Sequence, residues 1–247
     1  MEPFRIAVSD AAIADLHERL DRTRWPDQVG APWVYGTDRA WLRELCDHWR
    51  HAFDWRAAEA RLNRFAQVIV PLGAHRVHCI HQRSPHPHAV PLLITHGWPG
   101  SIAEFEGIID RLTVPERFGG DPADAFHVVC PSIPGYGFSQ APTESGFQPR
   151  ACAALFHQLM QALGYERYFA QGGDVGAAVT TWLGALAADA LKGIHLNLVF
   201  VRPPRENPFE GVTDAERERF EARAAYMQGE VGYQHIQGTK PQTLGYG

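Results

Sequence analysis

Apolar residues recur at helical spacing up to about residue 66 and then take on the shorter rhythm of strands. Ser9 is placed to cap a helix that carries Ile13, Leu16 and Leu20 on one face. A second helix, opening at Thr37, presents Trp41, Leu42, Leu45 and Trp49, and Asp54 caps a third over residues 55–65. Between the first two lies an aromatic, Pro-rich connector, Trp25-Pro26 and Ala31-Pro32-Trp33. Five of the seven Trp precede position 60 and call for apolar cover. Residues 1–66 are therefore predicted to be a helical meander packed on a core, with few strand signals of their own.

Beyond Phe65, strand patterns at 67–71, 76–81, 90–95, 126–130, 167–171 and 194–201 alternate with helical patterns from Ser101, over 150–163 and from 175 to about 191. Ser101 with Glu104 and Thr213 with Glu216 have the spacing of capping boxes. Alternation of this kind means βαβ units and an α/β fold with a mostly parallel sheet, about six strands of which are present. Pro203-Pro204 ends the last strand, 213–228 forms a charged amphipathic helix, and the Gly-rich tail has no strand signal. The division expected is a meander over 1–66, a core over 67–202 and a further segment over 203–247.

Composition narrows the class. A chain of 247 residues with 45% hydrophobic and 21% charged residues can bury one sizeable core. The net charge of -5, with both signs mixed along the chain, offers no basic footprint for nucleic acid. The start, Met1-Glu2-Pro3-Phe4-Arg5, does not read as a signal peptide, and the apolar runs at 89–94 and 198–201 are too short to span a bilayer. Cys46, Cys79, Cys130 and Cys152 are widely spaced, as buried free thiols of a cytoplasmic protein would be.

The chemistry sits in two short segments. Gly172-Gly173-Asp174-Val175-Gly176 falls between a strand and a helix, the small-x-nucleophile-x-small pattern of a nucleophile elbow. Asp in that place changes the reaction. A carboxylate attacking an sp3 carbon gives an alkyl ester that water can cleave, whereas a serine would give an inert ether. The pattern therefore points to epoxide or halide displacement and away from esterase activity. His96-Gly97-Trp98-Pro99-Gly100 follows the third strand, where the oxyanion loop of such sheets lies, so the Trp98 and Val175 N–H groups are the expected oxyanion donors. His96, Gly97, Pro99, Gly173 and Gly176 shape these turns. His75, His78 and His81 look like a metal cluster, but neighbours in that series point to opposite faces of a strand, so no metal or other cofactor is expected. His86 and His88 lie in a Pro-rich loop and are expected in solvent.

Further motifs run along the chain: Gly36-Thr37-Asp38, Phe53-Asp54-Trp55-Arg56, Leu62-Asn63, Pro131-Ser132-Ile133-Pro134-Gly135-Tyr136-Gly137-Phe138-Ser139, Gln171-Gly172-Gly173-Asp174, Gly232-Tyr233-Gln234-His235-Ile236-Gln237 and Thr239-Lys240-Pro241. Together with His96-Gly97-Trp98-Pro99-Gly100-Ser101 they resemble the microsomal-type (juvenile-hormone-type) epoxide hydrolases. The resemblance implies an α/β-hydrolase fold with a cap inserted after the sixth strand, a small apolar epoxide as substrate, and a covalent ester on Asp174. It also implies that Tyr233 is one of two cap tyrosines that hydrogen-bond the epoxide oxygen, a role a phenol can fill while un-ionised.

Two departures accompany the resemblance. Val175 stands where the family usually has Trp, which counts against a haloalkane dehalogenase, since that chemistry uses an indole N–H to hold halide. The fold's acid and histidine follow the seventh and eighth strands, and with about six strands the chain is expected to stop in the early cap. The relay acid, the general-base His and the second Tyr then have no matching positions, and His235, beside Tyr233, reads as structural. The expectation is an epoxide hydrolase piece that alkylates but hydrolyses poorly, with self-association through the incomplete sheet. The alternatives are a dehalogenase-like hydrolase or a non-catalytic fragment that binds apolar ligands.

Overall fold

A computed structural model describes residues 1–201, 206–207 and 209–246, and for 245 and 246 the backbone alone. The described residues form two compact units, Met1–Val199 and Phe200–Gly247.

The first unit is built on one seven-stranded sheet: β1 (Glu2–Phe4), β2 (Gln67–Leu72), β3 (His75–Gln82), β4 (Val90–Thr95), β5 (Phe126–Pro131), β6 (Tyr168–Gly172) and β7 (Leu191–Leu196), in the order β1-β2-β3-β5-β4-β6-β7. The pairings β1–β2, β2–β3 and β3–β5 are antiparallel, and β5–β4, β4–β6 and β6–β7 are parallel. Five strands thus run one way, and only β1 and β3 oppose them. The connections explain this: Gly73, at φ 59, closes a tight β2–β3 turn, whereas helices separate the later strands.

Two apolar layers sandwich the sheet. On one face Val77, Leu93, Val129 and Ala170 meet Phe156, Leu159 and Met160 of α5 (Pro149–Ala162) and Val179 and Leu183 of α6 (Val175–Leu186). On the other, Ile80, Ile94 and Val128 meet Phe65, Ile102 and Ile109, the last on α4 (Glu106–Thr113). Full burial of each such side chain contributes roughly 1.5–3 kcal/mol.

The meander forms α1 (Asp10–Asp21), α2 (Arg39–His51) and α3 (Trp55–Leu62), capped by Ser9, Asp38 and Asp54. The cap of α2 is Asp38 rather than the expected Thr37, because the Asp38 carboxylate reaches the Trp41 N–H at 2.8 Å. Within this segment α3 buries Ala58 and Leu62, while α1 and α2 bury no residue, and Trp33, Trp41 and Trp49 stay 58%, 47% and 44% exposed. The expected cover for these Trp is not found in the first unit.

Other expectations are corrected. The first segment does contain a strand, β1, paired to 67–69. The last strand ends at Leu196, not 201, because its ladder with β6 runs from Tyr168–Leu191 to Gly172–Leu196. The Pro203-Pro204 stop lies outside the described residues. Ser101 caps Ala103 rather than sharing a box with Glu104, whereas the Thr213–Glu216 box is made. His86 pairs with Glu116 at 3.0 Å instead of facing solvent. Cys46 is half-buried, unlike the other three free cysteines.

The second unit consists of α7 (Asp214–Glu230), α8 (Gly232–Thr239) and α9 (Gln242–Tyr246), so the Gly-rich tail is helical. Arg217 lies over the Phe209 ring. Among the described residues no helix is long and apolar enough to cross a membrane.

Candidate active site

The parallel register brings three strand ends level. Thr95 of β4 faces Gly172 of β6, which in turn faces Leu196 of β7. The residues that follow each strand, His96-Gly97-Trp98, Gly173-Asp174 and Asn197, therefore share one edge of the sheet. They line a cavity of about 370 Å³ together with Pro99, Gly100, Glu104, Phe105 and Gln171.

Asp174 sits between β6 and α6 at φ 49, a conformation that a non-glycine residue rarely adopts. Close contacts enforce it. A Cβ at Gly172 would lie 2.1 Å from the Gly176 carbonyl oxygen, and one at Gly176 would lie 2.1 Å from that of Thr95. Gly173 differs: a Cβ there meets only Asn197 at 3.5 Å, an ordinary contact. The two flanking glycines, not the adjacent one, are what the turn requires. The exposed Asp174 carboxylate accepts the Trp98 N–H on Oδ1 at 2.8 Å. Gly97 makes this approach possible, since a Cβ there would fall 2.4 Å from Asp174 Cβ. Val175 opens α6, so its N–H is among the helix's unpaired first-turn donors.

His96 is buried and fixes the turn through both ring nitrogens. Nδ1–H donates to Gly97 O at 3.0 Å and Nε2 accepts from Ile133 N at 3.1 Å. Burial holds its pKa below the ordinary value, outweighing the opposing pull of the Gly97 carbonyl and the Glu104 charge. With both nitrogens engaged, His96 has no free lone pair with which to activate water.

The remaining histidines of interest separate. His78 is fully buried, donating to Gln67 Oε1 and accepting from Ser132 Oγ, each at 2.9 Å, while His81 bonds Tyr165 OH at 2.8 Å and His75 packs against the Phe147 ring. Among the described residues no group of His, Cys, Asp and Glu could hold a metal. Tyr233 lies on α8 in the second unit, its hydroxyl accepting from Gln234 Nε2 at 3.0 Å. His235, beside it, starts the second turn of α8, its N–H bonded to Val231 O.

Three cavity residues escaped the sequence reading. Gln171 donates its amide to Asn197 Oδ1 at 2.5 Å, and its own Oε1 is buried with no protein partner. Asn197 is also held through its N–H on Gly172 O at 3.1 Å. Glu104 folds back on the turn, its Oε1 only 1.3 Å from where a Gly100 Cβ would be. Gln171 stood in the sequence only as the first residue of the Gln-Gly-Gly-Asp motif and Glu104 only as a capping-box partner of Ser101, and Asn197 carried no signal.

Two family models match the chain: the epoxide hydrolase N terminus over residues 1–105, and the alpha/beta hydrolase fold over residues 90–236. Epoxide hydrolase 1 of Oryctolagus cuniculus is 37% identical, with 99% of this chain and 58% of that protein covered. Juvenile hormone epoxide hydrolase 2 of Ctenocephalides felis is 35% identical, with 99% and 56% covered. The solved structure of an epoxide hydrolase of Aspergillus niger superposes with a TM-score of 0.83 at 33% identity, over 99% of this chain and 64% of that one. The chain thus spans 56–58% of the length of such curated relatives.

Proposed function

The chain belongs to the α/β-hydrolase fold family, and from this we propose that it is the nucleophile-bearing part of an epoxide hydrolase that acts on small apolar epoxides. The observation that carries the reading is the Asp174 carboxylate at positive φ, with Oδ1 on the Trp98 N–H. That bond leaves Oδ2 to attack the less hindered epoxide carbon. The C–Oδ2 bond forms, the ring C–O bond breaks, and the released oxygen takes a proton from an acid, for which we propose Tyr233. Oδ1, which accepts the Trp98 N–H, then becomes the ester carbonyl oxygen, and in this proposal the Trp98 and Val175 N–H groups stabilise the oxyanion formed during hydrolysis. Val175 offers no indole N–H for halide, so dehalogenation is the weaker reading.

Residues 203–247 are, in this proposal, the start of a cap. The relay acid, the histidine base and the second tyrosine belong to the part of the family's length that this chain does not span. Among the described residues β7 is an edge strand, which supports self-association or pairing with a complementing piece, and the four free cysteines support a reducing, cytoplasmic setting.

The test is to incubate the chain with an aryl epoxide and measure intact mass, followed by peptide mapping. The expected product is one covalent adduct on Asp174 with little diol, since loss of a base typically removes roughly 10²–10⁴-fold of rate. Asp174→Ala should abolish the adduct. An adduct on another residue removes Asp174 from the mechanism, and rapid steady diol release refutes the hydrolysis deficiency.

A further inference from the structure

The segment that follows β5, residues 132–139, has no role in the steps above, yet it is tied down at both ends. The Ser132 N–H donates to His78 O at 2.9 Å, the Ser139 hydroxyl donates to Ser132 O at 2.7 Å, and the His78 N–H donates to Ser139 Oγ at 2.9 Å. Between these ties the Tyr136 N–H closes a turn on Ile133 O at 2.8 Å. Gly135 and Gly137 bracket that residue at φ 90 and φ 50, so the backbone bends in the left-handed region on both sides of one aromatic side chain. Tyr136 is half-buried, and its ring packs against the His96 ring with centroids 5.4 Å apart at 61°, within the range of a favourable aromatic pair. Burial first, and then the Asp174 charge, push its phenol above the ordinary value, so it stays neutral in the field of the nucleophile.

We propose that Tyr136 is a positioning residue for the nucleophile: its ring holds His96, and through His96 the Trp98 N–H, in place against the Asp174 carboxylate. This rests on the nucleophile reading above and adds a residue to it. The contacts are continuous. Ile133 N and Gly97 O engage the two ring nitrogens of His96 at 3.1 and 3.0 Å, which sets the direction of the imidazole, and the Tyr136 ring limits how far it can shift. Gly97 follows directly, so close to the nucleophile that a Cβ would fall 2.4 Å from Asp174 Cβ, and the Trp98 N–H then reaches Oδ1 at 2.8 Å. A shift of His96 therefore moves the donor that decides which carboxylate oxygen is left to face the epoxide. Ile133 and Tyr136 act on His96 from one loop, joined by their own hydrogen bond, so the ring is held from two points of a single anchored turn. The aromatic ring performs this role, and the hydroxyl is dispensable for it.

The experiment has two readouts: the rate of adduct formation on Asp174 at increasing styrene oxide concentration, followed by intact mass, and hydrogen exchange of the Trp98 amide. Tyr136→Leu should lower the saturating alkylation rate about tenfold, within the roughly 10²-fold that an ångström of misplacement can cost, while the half-saturating concentration stays near that of wild type. The same variant should speed exchange of the Trp98 amide, because its hydrogen bond to Asp174 opens more often. Tyr136→Phe, which keeps the ring, should match wild type in both. Tyr136→Met, which fills the space without a ring, should behave as Tyr136→Leu does and keeps the test open if that variant folds poorly. Tyr165→Leu is the control: Tyr165 is also half-buried but precedes β6, whereas Asp174 follows it, so both readouts should stay as in wild type. Wild-type alkylation and exchange in Tyr136→Leu and Tyr136→Met would overturn the inference, as would a Tyr136→Phe as slow as Tyr136→Leu or an equal loss in Tyr165→Leu. Absence of an Asp174 adduct on wild type would overturn the nucleophile reading instead, and Trp98 exchange would still decide whether Tyr136 holds the turn.

Discussion

The layer around the elbow and the helices α1 and α2 all carry apolar faces, α5 and α6 on nearly uncharged helices and α1 and α2 on charged ones, and they end in opposite states. Phe156, Leu159 and Val179 are fully buried, and even the glycines beneath Asp174 have their side-chain space filled by backbone. In α2, Trp41, Leu45 and Trp49 follow each other at intervals of four on one helical face and remain 44–47% exposed. An apolar stripe fixes which face of a helix seeks cover; it says nothing of where the cover comes from. The sheet supplies its own, because strands and helices alternate along the chain. The meander's first two helices do not find theirs within the first unit.

This contrast should be largest in truncation energies. Phe156→Ala should destabilise the first unit by about 3–5 kcal/mol, and Trp49→Ala by about 1 kcal/mol or less, both read from urea unfolding. A Trp49→Ala cost equal to that of Phe156→Ala would show that α2 is packed as tightly as the core. A complementing piece that covers the meander should raise the Trp49 cost and leave the Phe156 cost unchanged.

The core should also carry a pH dependence of its own. Burial depresses His78 from 6.5 to about 4, and the neutral ring is the form that its Gln67 and Ser132 bonds accept. As pH falls through 6.5 the unfolded chain binds a proton that the folded chain refuses until about 4. The stability contributed by neutral His78 is therefore fully present above that window and lost across it, by up to about 3 kcal/mol. His96, depressed by burial in the same direction, adds to the slope. Urea unfolding at pH 7 and pH 5 should show the fall, and His78→Gln should flatten it; an unchanged slope in that variant would assign the effect elsewhere.

The smallest effects distinguish the glycines of the elbow. Gly176→Ala forces a methyl group against the Thr95 carbonyl and should cost about 1–3 kcal/mol. Gly173→Ala meets only ordinary contact and should stay within about 0.5 kcal/mol, with adduct formation intact. A severe Gly173→Ala defect would mean that the space beside Asn197 is filled by something else.

What the sequence made legible follows the same division. Alternating strands and helices gave the α/β fold, and the Gly-Gly-Asp and His-Gly-Trp-Pro segments located the residues that line the cavity, because their turns are local. β1 was not legible: three residues cannot display alternation, and only pairing with 67–69 makes them a strand. The end of β7 was misread because the apolar run at 198–201 imitates a strand, whereas the ladder with β6 stops at Leu196. Glu104 looked like a capping partner by spacing, yet the bend over Gly100 draws its carboxylate to the cavity. Asn197 reaches the site only through the register of two strands, which no single segment encodes.

The conformation of Asp174 has a consequence for how such a chain changes over time. At φ 49 an aspartate is held in a sparsely populated region that glycine occupies freely, at a strain of roughly 1–3 kcal/mol. Replacement by glycine would relieve that strain, partly offset by about 0.5–1 kcal/mol of backbone entropy. A population screened only for abundance or heat resistance would therefore tend to accumulate Asp174→Gly and lose the nucleophile while gaining stability. Retention of the carboxylate under such pressure would be a record of selection for chemistry, readable without any assay of activity.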